Sequence, residues 1–201
     1  MTNQEFFERY AGDGMVGLIG GTHFIDEAIK KAQRNITKDK KKSPFSHTFI
    51  IGEKRKDGKR WIIESDLEFH RKQMKIGVQE NRIDKYFNEK TFPNVAVLDF
   101  KMSREHTDLI LKESLELVAN RATYSLREVL GILVSFGNDA KRKMENKFSH
   151  ENAFVCSTFV QHVYAKAGIH FSSQVSLQNM TPDDIYTTAI PCVREIHIRE
   201  K

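Results

Sequence analysis

A chain of 201 residues that is 39% hydrophobic and 29% charged has the size and polarity of one globular domain, which excludes a wholly disordered or fibrous polypeptide. The net charge of +5 favours acidic partners, yet no nucleic-acid reading element accompanies it, so no nucleic-acid partner is expected. Two cysteines make no disulfide framework, the start lacks a secretion signal, and no apolar run reaches the roughly 20 residues of a membrane span. A single domain over residues 1–201, cytoplasmic and without an integral membrane segment, is the expectation.

Taken in chain order, Phe24, Ile25, Ala28, Ile29 and Ala32 follow Gly20-Gly21 at helical spacing, and Thr22 is available as a cap. The pattern predicts a helix ending near Gln33. A basic loop (Lys38 to Lys42, KDKKK) leads to two β-rich runs, 48–51 and 60–63, around Asp57-Gly58, which signals a hairpin. The stretch 66–90 is mixed and yields no element, whereas 94–100 (NVAVLDF) reads as a strand after Pro93. Ser103 caps a helix through Ala119, and Ser125 caps another carrying Leu126, Val129, Leu130 and Leu133. Residues 138–149 form a charged excursion. A helix then bears Phe159, Val160, Val163, Tyr164 and Ala167, with Gly168 just past its end. Thr181-Pro182-Asp183-Asp184 starts a further helix, and 192–198 alternates as a final edge strand. The order predicts an α+β fold with a mainly antiparallel sheet.

Cys156 falls in the first turn of its helix, where unpaired N–H groups and the dipole stabilise a thiolate. A free cysteine is equally a small packed hydrophobe, and position alone leaves both readings open. His47 opens a strand and is a candidate base, with a structural histidine as the alternative. Glu64 closes the partner strand and is a candidate third member, with an exposed strand-end carboxylate as the alternative.

Register tests that assignment. A two-residue turn at Asp57-Gly58 pairs Ile51 with Glu64 and leaves His47 four residues away, roughly 13 Å at about 3.3 Å per residue. A longer loop or a bulge within 53–60 is therefore required; otherwise Glu68 faces His47. No metal-ligand spacing occurs, and residues 17–21 lack the context of a phosphate loop.

The strings FSHTFIIGE, WIIES and FVCSTFVQHVYAKAG, in the order His, acid, Cys, resemble the circularly permuted NlpC-type papain family (YiiX/YebB-like). Gly12-Asp13, the 20–33 segment and the Thr181-Pro182-Asp183 turn are also similar to it. The resemblance implies a permuted papain-like fold, an antiparallel sheet or barrel packed on a helical layer that carries the nucleophile helix. It also implies catalytic Cys156, His47 and Glu64, and an acyl-thioester intermediate without a cofactor. Family members carry a tyrosine upstream of the nucleophile; Tyr124 is the similar position, as a substrate-binding residue or a buried structural one. Thr48 departs from the pattern, standing where a small apolar residue is commoner.

The implied activity is a cysteine peptidase or amidase acting on a small peptide-like or acyl substrate, with the basic net charge favouring an acidic one. The alternatives are a lipid acyltransferase of the lecithin-retinol acyltransferase type and a non-catalytic binding module. If Glu64 merely orients the imidazole, an amide at 64 would serve nearly as well.

Overall fold

The structure, a computed structural model, describes residues 1–34, 40–70, 73–122, 156–173, 175 and 179–199. Its elements are α1 (Asn3–Tyr10), β1 (Val16–Gly20), α2 (Phe24–Gln33), β2 (His47–Lys54), β3 (Arg60–His70), β4 (Gln73–Arg82), a 3-10 turn (Ile83–Tyr86), β5 (Asn94–Asp99), α3 (Arg104–Ala119), α4 (Cys156–Lys166), α5 (Pro182–Tyr186) and β6 (Val193–Ile198). The six strands form one antiparallel sheet in the order β4-β3-β2-β1-β5-β6. The architecture is α+β. The expected Ser125-capped helix, the charged excursion at 138–149 and Tyr124 lie outside the described residues.

Alternation along the central strands sends side chains into two cores. On one face Val16, Leu18, Ile50, Ile63, Ala96 and Leu98 pack with Phe159, Val160, Val163 and Tyr164 of α4 and with Ile110 of α3. On the other, Ile19, Phe49, Ile51, Ile62, Val95 and Val97 pack with Phe6 and Phe7 of α1 and with Ile83 and Tyr86. The sheet is thus covered on both sides, which explains the continuous apolar runs of β2 and β5. Helix α4 is tied down at its far end as well, where the Tyr164 hydroxyl donates to the Gly14 carbonyl at 2.5 Å. Gly168, at φ +80°, stops the helix as expected.

Four elements, α1, β1, β4 and the 3-10 turn, have no counterpart in the sequence reading. Helix α1 is closed by a Thr2–Glu5 capping box. Strand β1 hides in glycines, because its neighbours crowd it: a Cβ on Gly20 would lie 1.9 Å from the Pro44 carbonyl oxygen. Gly20→Ala should therefore cost about 2 kcal/mol or more, read as a fall in the urea midpoint. Strand β4 is an edge strand rich in Lys, Gln, Glu and Arg, residues that blunt an open edge but erase the β pattern.

Helix α2 has the expected bounds but presents the opposite face. Phe24 is 88% exposed and Ile25 51%, whereas Lys30 and Gln33 are fully buried. The polar side is held inward: the Gln33 amide donates to the Phe45 carbonyl at 2.7 Å and accepts from the Asp183 N–H at 2.9 Å. Lys30 pairs with Glu27 at 2.6 Å. Thr22 does not cap the helix; its hydroxyl turns to the Thr91 carbonyl at 3.2 Å, and His23 occupies the cap position.

Candidate functional site

His47 is the first residue of β2, and Cys156 is the first described residue of α4. The segment before His47 is fixed through Ser46. Its N–H donates to the Ile19 carbonyl at 2.8 Å, and its hydroxyl donates to Asp26 at 2.6 Å and accepts from the Gly21 N–H at 3.2 Å. Thr48, the departure noted in the sequence, is buried and donates to the Gly17 carbonyl at 3.0 Å, so its hydroxyl is spent on the sheet.

The register problem is solved by two displacements of one residue each. The hairpin closes with Arg55 N–H donating to the Lys59 carbonyl at 2.9 Å, leaving a three-residue loop that ends on Gly58 at φ +75°. An irregularity between Ile51 and Lys54 then shifts the ladder again, so that Ile50 lies opposite Ile63 and Ile51 opposite Ile62. Glu64 consequently falls opposite Phe49, two residues from His47 and about 7 Å along the strand. Two displacements preserve the face on which each side chain points; a single one would have reversed it. Glu68 pairs with Lys75, further along β3 toward the next hairpin.

The His47 Nε2 lies 2.7 Å from Glu64 Oε2, and the side chain of Cys156 is close enough to the ring to raise its pKa. With Nε2 bonded to Glu64, Nδ1 is the nitrogen left to serve the thiol. The imidazole is only 14% exposed, and Cys156 is 7% exposed. Burial alone would depress the His47 pKa, but the bonds to Cys156 and Glu64 outweigh it and hold the ring well above its ordinary value.

Glu64 is fully buried and accepts four hydrogen bonds. Oε2 receives the His47 ring and the Tyr86 hydroxyl at 2.5 Å; Oε1 receives Asn81 at 2.8 Å and Lys85 at 2.7 Å. Burial would raise its pKa, yet Lys85 and His47 hold it far below the usual carboxylate range. Lys85 also reaches Asp66 at 2.9 Å; burial would lower its pKa, but the two carboxylates hold it above the ordinary lysine value. Burial and Glu64 push the Tyr86 phenol well upward, so it stays a donor, and its ring stacks on Phe49 with centroids 5.2 Å apart.

The structure therefore brings Cys156, His47 and Glu64 together, while Tyr124 lies outside the described residues. Sequence reasoning missed Asn81, Lys85 and Tyr86. They come from the stretch that yielded no element, and only the β3–β4 pairing brings them beside Glu64.

The two opposed shifts fix a stability profile. Glu64 has a depressed folded pKa, so its contribution is complete above about pH 4.5 and is lost as pH falls through the depressed value. His47 has a raised folded pKa, so its contribution is complete below about pH 6.5 and is lost as pH rises through the raised value. Urea midpoints should be highest between these limits and fall on either side, and His47→Gln should flatten the alkaline limb. A midpoint that keeps rising above pH 6.5 in the wild type would contradict the imidazolium assignment.

No family model and no curated protein matches the chain. Among solved structures, the fold is similar to the crystal structure of metalloprotein yiiX from Escherichia coli O157:H7, with a TM-score of 0.57 and 12% identity over 94% of this chain and 97% of that one. The likeness is one of fold, and it spans nearly the whole of both chains. Among the described residues, no helix is long and apolar enough to cross a membrane.

Proposed function

We propose that this chain is a cysteine hydrolase on a permuted papain-like fold, cleaving an amide or thioester in a small peptide-like acyl substrate. One observation carries the reading: a single imidazole stands beside the Cys156 thiol of α4 and is bonded to a buried, fully bonded carboxylate. In this scheme the Cys156 sulfur attacks the carbonyl carbon with its proton already resting on His47 Nδ1. The proton passes to the leaving amine as the C–N bond breaks, leaving an acyl-thioester. Water, deprotonated by the same nitrogen, then releases the acid and restores the thiol. Glu64 keeps the Nε2–H in place throughout, and N–H groups in the first turn of α4 are suited to the oxyanion.

The structural neighbour is titled a metalloprotein. The donors here do not fit a metal in this arrangement: all four acceptor positions of Glu64 are filled, and no group of three or more His, Cys, Asp or Glu suited to a metal ion occurs among the described residues. No step is routed through one.

The test is acyl trapping. With a p-nitrophenyl acyl ester, intact mass and peptide mapping should place one acyl group on Cys156. Cys156→Ala should abolish the adduct and lower turnover by about a thousandfold or more. An adduct on another side chain, or none across a panel of acyl esters and peptide amides, would overturn the proposal.

A further inference from the structure

The apolar face that α2 turns outward is joined to an uneven charge distribution. Residues 24–42 hold seven Lys or Arg against three Asp or Glu, leaving 25 against 24 over the rest of the chain. Nearly all of the net charge of +5 thus sits on and just after this helix. Phe24 is 88% exposed and Ile25 51%, Ala28 is exposed one turn on, and Lys31 further along the helix and Lys40 and Lys41 after it are exposed as well. The two carboxylates of the helix have partners of their own: Asp26 accepts from Ser46, and Glu27 is paired with Lys30 and Lys42.

An aromatic and a branched aliphatic side chain standing in water beside a positive field suit one kind of surface, an interface that is apolar beneath and anionic above. We propose that α2 docks on an anionic lipid bilayer, with Phe24 and Ile25 entering the acyl boundary and the adjoining lysines meeting the lipid phosphates. Charge complementarity selects the occupant, since a second copy of this chain would bring the same positive field against itself. The docking is independent of the hydrolase reading. Helix α2 touches the segment leading to His47 through Asp26, which accepts from Ser46, and through Gln33, which donates to the Phe45 carbonyl.

The experiment is co-sedimentation of the full chain with phosphatidylcholine vesicles, with and without phosphatidylserine. Phosphatidylserine should strengthen binding at least tenfold. Raising the salt from 0.1 M to 1 M, which shortens the screening length from about 10 Å to about 3 Å, should abolish that gain. Phe24→Ser/Ile25→Ser should reduce binding at least tenfold; both positions are exposed, and unchanged thermal unfolding would show that the fold is kept. Lys31→Glu/Lys41→Glu should remove the preference for phosphatidylserine. Absence of vesicle binding, binding indifferent to both double variants, or concentration-dependent dimerisation that Phe24→Ser/Ile25→Ser abolishes would each overturn the proposal.

Discussion

Iodoacetamide at neutral pH should alkylate Cys156 at least tenfold faster than Cys192, and His47→Ala should erase most of that difference. Exposure alone predicts the reverse order, because Cys156 is buried and Cys192 is only partly so. The surroundings of the two thiols decide it. Burial pushes the Cys192 thiol upward and Asp99 adds to the effect, with Arg194 opposing. Cys156 instead lies beside an imidazole held in its charged form. The check is time-resolved alkylation followed by peptide mapping. Equal slow rates at the two cysteines would favour the packed-thiol reading of Cys156 and a non-catalytic module.

Glu64→Gln should be severe, destabilising the protein by about 3 kcal/mol or more and suppressing Cys156 reactivity together. From the sequence, an amide at 64 looks a near-equivalent, since it still accepts from the ring. The surroundings reverse that expectation. Four donors converge on the two carboxylate oxygens, and in an amide one oxygen becomes an NH₂ that faces donors. Lys85 loses its nearer carboxylate and keeps only Asp66. Removing one member of a buried charged group leaves the others uncompensated, which is costlier than the pair was favourable. Urea unfolding measures the loss. A Lys85→Met change should cost less in the Glu64→Gln background than in the wild type, because the stranded ammonium is then removed. A Glu64→Gln protein of wild-type stability and thiol reactivity would mean that the carboxylate charge is not used.

Much of this was legible in the residues, for identifiable reasons. Helices α3, α4 and α5 were readable because Ser103, Gly168 and Thr181 carry local stop and start chemistry that needs no tertiary partner. Cys156, His47 and Glu64 could be singled out by type and place. What could not be read was how far apart they lie, since that depends on a bulge that leaves no composition signature. The burial of α2 was misjudged for a related reason. Periodicity finds the apolar face, but Gln33 bridging Phe45 and Asp183 decides which side turns inward. Strand β4 and the donors to Glu64 were silent because polar residues on an edge strand look like loop until their partner strand is known.

The hydrogen bonds that lock the helical layer span the chain: Tyr164 reaches back to Gly14, and Asp183 back to Gln33, each across 150 residues. Loops of that length close slowly, after local helices and hairpins have formed. The hairpin that aligns His47 with Glu64 is local and can form early, whereas the thiol arrives only with α4. During refolding, then, the acid and base are in place before there is anything for them to activate. The protein should pass through a stage with a native hairpin and an inert cysteine, so thiol reactivity would be among the last native properties to return.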